Sequence, residues 1–314
     1  MAKEQACPMK KTSIGGQALI EGVMMRGPEK TAMAVRHVSG EMVVEEMENP
    51  VSNRPAFTKW PVIRGIFGFI DSMRYGYKCL MRSAELSGLE DEEGPKTEEE
   101  EKKQHRLMNV LMVVAAVLGV ALSLVLFMWL PIQLFSWLTK AVPALDHAYL
   151  RGLFEGVLRI VIFVAYVAAV SRMPEIKRTF QYHGAEHKTI FCYENDLPLT
   201  VENVRPQKRF HPRCGSSFMI IMLLLGIIVG FFIPFENPIL RTACKLLCLP
   251  IIVSIGYELI KLCGKHDNAL TRIISAPGIW MQRLTVFEPD DKMIEAAIVA
   301  MNAVIPENGE DLLK

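Results

Sequence analysis

The sequence predicts a mainly α-helical, polytopic membrane protein with about four transmembrane helices and a small β-rich N-terminal cytoplasmic unit. Three observations predict it. Of the 314 residues, 51% are hydrophobic, and they fall in blocks, with a mean hydropathy of +0.23. Leu107–Leu130 runs for 24 residues without an ionisable side chain. Ser216–Pro234 is a second uncharged run, of 19 residues. A hydrocarbon core about 30 Å thick needs roughly 20 apolar residues at about 1.5 Å each, so both runs predict spans.

The composition also narrows the function classes. A net charge of +1 gives no argument for nucleic acid, and none is expected as a partner. The N-terminus, MAKEQACPMKKTS, carries positive charge with no apolar core behind it, so it does not predict a cleavable signal peptide. Seven cysteines at scattered spacings predict no disulfide framework.

In chain order, residues 1–55 predict the β-rich unit. Ala32–Val38 and Glu41–Met47 flank Ser39-Gly40 as a hairpin, and Gly15, Gly16 and Gly22 punctuate the segment before it. Residues 56–88 predict an amphipathic interfacial helix. From Trp60 to Met81, Ile63, Phe67, Ile70, Met73, Tyr77 and Leu80 recur at helical spacing among basic residues. Residues 89–106 are an acidic linker.

The membrane domain, 107–262, has spans near 107–130, 153–170, 216–234 and 242–262. The second carries Glu155 and Arg159 four residues apart, placed to offset each other. The fourth carries Lys245, within snorkelling reach of an interface, and Glu258, which calls for a cationic partner. Residues 263–314 predict a helical tail with a helix start near Pro289.

Lysine and arginine set the orientation. The loop 171–215 holds eight of them, Arg172, Lys177, Arg178, Lys188, Arg205, Lys208, Arg209 and Arg213, whereas 131–152 holds two and 235–241 one. This predicts a cell-membrane protein with both termini and the long loop on the cytoplasmic side. Cys7, Cys79, Cys192, Cys214 and Cys263 then fall on the reducing side.

That loop carries the chemistry. Pro174–Glu194 predicts a helix on which Ile176, Phe180, His183, His187, Ile190 and Glu194 form one inward stripe. Two imidazoles four apart on one helix face can grip one metal ion. His183-Gly184-Ala185-Glu186-His187 has the H-x-x-E-H order of the inverted zinc-protease motif, whose glutamate is the general base. His211-Pro212-Arg213-Cys214 adds a second pair with ligand chemistry, and thiolate with imidazole favours zinc, with iron behind it. If His183, His187, His211 and Cys214 all bind, the shell is closed and structural. If the two helix histidines bind with a carboxylate such as Glu202 or Glu194, a position stays open for water and Glu186 serves as base.

GGQALIEGVMMRGP (Gly15–Pro28), YHGAEHKTIFCYE (Tyr182–Glu194), VENVR (Val201–Arg205), HPRCGSSF (His211–Phe218) and PGIWMQRLT with the following EPDD (Pro277–Asp291) resemble the YqhQ-like bacterial membrane proteins. These five segments, in order, span nearly the whole chain; Ser216 stands where that pattern leads one to expect threonine. The resemblance implies a family with the general label of predicted metal-dependent enzyme and a metal at His183, Glu186, His187, His211 and Cys214. It also implies that the N-terminal unit belongs to the same functional body, with Glu21 and Arg26 helping to line the site.

The expected function is therefore a membrane-embedded metal-dependent enzyme, a hydrolase acting at the cytoplasmic face. Its partners would be membrane lipids and a lipid-linked or membrane-adjacent substrate. The alternatives are a non-enzymatic membrane scaffold with a structural metal and, behind it, a small transporter using Glu258 and oligomerising around a shared path.

Overall fold

The computed structural model describes residues 10–49, 55, 58, 60, 63–89, 98–233, 235, 237–266 and 268–312. Cys7 and residues 90–97, the centre of the predicted acidic linker, lie outside these. The chain forms two compact units: Met1–Glu90 with Ala168–Ile221 and Val253–Lys314, and Asp91–Val167 with Met222–Ile252.

The first unit contains an antiparallel sheet of four strands in sequential order, β1 (Gly15–Leu19), β2 (Gly22–Arg26), β3 (Lys30–Arg36) and β4 (Met42–Glu48). The predicted hairpin is β3–β4, closed at Gly40, whose φ of +91° only glycine adopts readily. The glycine-punctuated segment ahead of it is a second hairpin, β1–β2, turning at Glu21.

Strand alternation divides the sheet into two faces. Val23, Met25, Ala32 and Ala34 pack on Tyr182, Ala185 and Ile190 of α5 (Pro174–Glu194) and on Met293, Ile294, Ala297 and Met301 of α10 (Asp291–Asn302). Leu19, Met24, Met33 and Val35 pack on Cys79 and Leu80 of α1 (Ile63–Ser87). Helix α10 begins two residues after the expected Pro289, because the Asp290 side chain accepts from the Met293 N–H and caps it.

Helix α1 is amphipathic in an unusual sense. Its buried residues are small: Gly65, Gly76, Cys79, Ser83 and Ser87. Its large apolar residues Ile70, Met73 and Tyr77 are more than half exposed. Near its start, Arg64 holds Glu258 of α8 (Pro238–Lys265) through both carboxylate oxygens. Glu258 thus has the arginine partner its position calls for.

Helix α5 has the predicted bounds, with Pro174 at its first turn and Asp196 leaving it at a φ of +58°. The single inward stripe is corrected. Gly184, Ala185, Glu186, His187, Lys188, Thr189, Ile190, Phe191 and Cys192 are all buried, so the second half of the helix is enclosed on every side. Gly184 makes that possible, because a Cβ there would run into the Phe287 carbonyl oxygen.

The second unit contains the apolar helices. Helices α2 (Glu98–Leu124) and α3 (Leu130–Ala141) join through a wide π turn, Val125–Trp129. Pro131 has no N–H for the Phe127 carbonyl one turn back, and the Arg159 guanidinium donates to that oxygen instead at 2.7 Å. Arg159, on α4 (Ala148–Val170), pairs with Glu155 at 2.9 Å, as their spacing predicts. Lys245 does not snorkel outward. Its ammonium lies 3.6 Å from the same Glu155, with Arg241 at 3.4 Å.

Three helical stretches are long and apolar enough to cross a membrane: Val113–Ala141, Tyr149–Val170 and Ile239–Gly264. The first lies further along the chain than the sequence predicted. The remaining candidate is the 17-residue apolar helix α7 (Gly215–Phe231), shorter than these three.

Gly184→Ala is expected to destabilise the first unit by at least about 2 kcal/mol, since backbone must move to admit the methyl group. Gly119→Ala, where nothing stands within 4 Å, is expected to cost nothing. Thermal unfolding of the two variants in the same detergent checks the contrast.

Candidate metal centre

His183 and His187 sit one turn apart on α5, with ring centroids 4.5 Å apart. Cys214 directly precedes α7, where the unpaired N–H groups of a helix start favour a thiolate. One ligand atom from each of these three residues lies within 4.8 Å of the others.

Each imidazole is oriented by its second nitrogen. His183 Nδ1 meets the Thr285 carbonyl at 3.0 Å, and His187 Nδ1 meets the Arg209 carbonyl at 2.5 Å. A carbonyl can only accept, so both Nδ1 atoms carry the hydrogen and both Nε2 lone pairs remain for a ligand. His183 Nε2 stands 3.1 Å from Cys214 Sγ, which also touches Ser216 Oγ at 3.1 Å.

The electrostatics follow from this contact. Burial favours neutral His183, but the Cys214 sulfur and Glu186 outweigh it and push its pKa up to about 9. Burial alone would raise the Cys214 thiol; His183 and His187 overcome it and hold the thiol well below its usual range. Both shifts have one cause: three electron-rich atoms share a small dry space and stabilise a cation between them.

Glu186 lies beside the triad. Burial pushes its carboxyl up, partly offset by His183 and His187. The Gly16 N–H donates to the carboxylate, and a Cβ at Gly16 would come within 2.9 Å of Glu186 Cδ. Oε2 is buried without a hydrogen-bond partner among the described residues. A cavity of about 190 Å³ is lined by Ser13, Gly16, His183, Glu186, His187 and Cys214, among others. It is large enough for a few water molecules or a small reacting group.

Two expected ligands do not join. His211 borders the cavity, but its Nε2 faces Glu194 at 3.6 Å and Arg213 at 3.5 Å. Burial pushes its pKa down to about 4, with Glu194 offsetting this only in part. Glu202 is exposed on the short helix α6 (Val201–Val204) and lines no part of the cavity. Glu194, the other carboxylate considered, accepts from the Thr12 N–H at 3.0 Å and from Arg213. Glu21 pairs with Arg178 and Tyr182 rather than lining the centre.

The structure adds residues that periodicity could not single out. Gln282, on α9 (Ala269–Thr285), is fully buried; its Oε1 accepts from the His211 N–H and its Nε2 donates to the His211 carbonyl, both at 2.7 Å. Nε2 also reaches Ser217 Oγ at 3.0 Å. Gln282 and Thr285 lie in the PGIWMQRLT segment, so that motif clamps the loop before Cys214 and orients His183. A glutamine among apolar helix positions was the available signal.

Comparison with known proteins agrees with the resemblance read from the motifs. Residues 60–307 match the family described as "Protein of unknown function (DUF1385)". The chain is 35% identical over 310 residues to "Uncharacterized protein YqhQ" of Bacillus subtilis (strain 168), covering 97% of this chain and 95% of that one. No solved structure matches.

Gln282→Ala is expected to cost about 2–4 kcal/mol, because it strands a buried N–H and a buried carbonyl at His211. Urea unfolding followed by circular dichroism should show a lower midpoint with unchanged slope.

Proposed function

The chain belongs to the DUF1385 family, and from that premise we propose that it is a membrane-embedded metal-dependent hydrolase. His183, His187 and Cys214 hold a divalent cation, and Glu186 is the general base. The observation that carries this is the convergence of three ligand atoms within 4.8 Å, with both histidines oriented through Nδ1 by backbone carbonyls. Two neutral imidazoles and one thiolate suit zinc, the cation taking the place of the proton that His183 and Cys214 otherwise share.

A cation held by three protein ligands supplies Lewis-acid activation of water or of a substrate oxygen. Glu186 takes a proton from the attacking water at Oε2 and passes it to the leaving group. Burial raises its affinity for that proton, which suits an acid and base in alternation. The enclosed position of α5 keeps bulk water from competing.

A structural metal in a scaffold is the second reading, and it needs a fourth protein ligand. The orientation of His211 toward Glu194 and Arg213 weighs against it. The Arg64–Glu258 pair likewise removes the acid on which a transporter reading rested.

The three long apolar helices point to membrane association. We infer α7 as a fourth span: its 17 residues reach about 26 Å, and the apolar run continues to Pro234. Cys214 then stands at the membrane surface, on the side where the basic loop 171–215 places it, with both termini cytoplasmic. The exposed apolar face of α1 supports an interfacial position for that helix and a substrate drawn from the membrane.

The purified chain is expected to hold about one zinc per molecule by elemental analysis. His183→Ala, His187→Ala and Cys214→Ala should each lose it, whereas His211→Ala and Glu202→Gln should keep it. Glu186→Gln should keep the metal yet fail to complement a deletion strain. Retention of stoichiometric metal in the His183→Ala/His187→Ala double variant defeats the assignment.

Topology has its own check. A green fluorescent protein fused after Lys314 should fluoresce, and alkaline phosphatase fused there should be inactive. The reverse pattern overturns the orientation.

A further inference from the structure

A second cavity, of about 310 Å³, lies on the α1 side of the sheet and is unused by the hydrolase chemistry. Ser13, Gly15, Gly16, Gln17, Met24, Arg26, Gly27, Thr31, Ser72 and Tyr75 line it, so β1 and β2 form one wall and α1 the other. Its one lining side chain with a permanent charge is Arg26. The guanidinium carbon sits 5.4 Å from the centre of the Tyr75 ring. Among the described residues this is the only interaction Arg26 makes. An arginine laid on an aromatic face keeps its N–H fork free and pre-oriented, which suits an oxyanion.

This cavity and the metal centre share Ser13, Gly15 and Gly16. Gly15 pairs with Arg26 across the β1–β2 ladder, and the next residue, Gly16, touches Glu186. Arg26 and Glu186 are therefore separated by about one strand spacing and one residue step, roughly 5 and 3.4 Å. They lie on opposite faces of the sheet, at its β1 edge. A Cβ on Gly15 would meet nothing within 4 Å, so the edge at Gly15 is open between the two cavities.

The geometry points to the Arg26 cavity as the subsite for a phosphate group on the substrate, with the cleaved bond reaching round the Gly15 edge to the metal centre. The role as a substrate subsite rests on the hydrolase reading; the phosphate site itself does not. The chemical class is a phosphate-bearing membrane amphiphile. The same helix that supplies Tyr75 and Ser72 to the cavity exposes Ile70, Met73 and Tyr77 on its outer face. That is the arrangement of a headgroup pocket whose roof rests on lipid. Arg26 binds the phosphate, Ser13 and Ser72 are the hydroxyl donors within the cavity, and the acyl chains stay in the membrane.

Binding to the full chain in detergent tests this, by calorimetry on zinc-loaded and on chelator-stripped protein. The probes are inorganic phosphate, dihexanoyl phosphatidic acid and N-acetyl-dialanine. Dihexanoyl phosphatidic acid is expected to bind both forms, more tightly than inorganic phosphate. Arg26→Gln should weaken it at least tenfold at unchanged zinc content and melting temperature. Arg26→Lys, which keeps the charge but not the fork, should weaken it about three- to tenfold, and carries the comparison if the glutamine variant does not fold.

With cobalt in place of zinc, the phospholipid should shift the visible spectrum of the native chain and not that of Gly15→Val. Equal binding of phosphatidic acid to Arg26→Gln and native protein overturns the proposal. So does preferential, Arg26-dependent binding of N-acetyl-dialanine, which would assign the cavity to a peptide carboxylate. Preference for inorganic phosphate over the lipid overturns the membrane source. Arg26-dependent binding in a chain that holds no metal retains the phosphate site and rejects the hydrolase reading alone.

Discussion

The constraint from which the rest of the first unit follows is the enclosure of a polar helix. Helix α5 carries His183, Glu186, His187, Lys188 and Glu194 into a low-dielectric interior, where each unpaired charge or dipole would cost several kcal/mol. Each one therefore needs a partner delivered from elsewhere. The Lys188 ammonium donates to the Arg205 carbonyl and to Glu288. His183 uses Thr285, His187 uses Arg209, and Glu194 takes the Thr12 N–H and Arg213. The motifs scattered along the chain belong together because they supply the partners of one helix.

Glu186 departs from this pattern, and so does the His183–Cys214 contact. One carboxylate oxygen has no partner among the described residues, and two groups shift their pKa values in opposite directions to share one proton. Elsewhere the unit satisfies its buried polar atoms with care; here it concentrates negative potential. Such local frustration is what a cation-binding centre requires, and it is tolerable only because the surrounding bonds over-determine the backbone.

Much of this was legible in the sequence, for reasons that also explain what was not. The bounds of α5, the β3–β4 turn at Gly40 and the pairing of Glu155 with Arg159 are local facts, encoded within a few residues. The grouping of His183, His187 and Cys214 needed only one long-range step. His211 was misplaced because adjacency to Cys214 says nothing about ring direction, and Gln282, 71 residues away, sets that. Glu202 looked eligible as a carboxylate in the right loop, yet α6 turns it to solvent. Lys245 looked like a snorkelling residue because the hydropathy of α8 does not reveal a glutamate on α4. In each case the missing information was a partner distant in sequence, which periodicity cannot carry.

The glycines of β1 show how that distant information is nonetheless written. Gly16 approaches Glu186 so closely that any side chain would displace the carboxylate, and the strand's own N–H takes the place a side chain would have filled. That N–H holds one carboxylate oxygen while the other remains available. Gly15, one residue earlier, has no such neighbour; an absent side chain there keeps the sheet edge passable. Two adjacent glycines thus meet opposite requirements, closure over the base and access to it. A segment nearly 170 residues from α5 in the chain is in this way part of the same chemical centre.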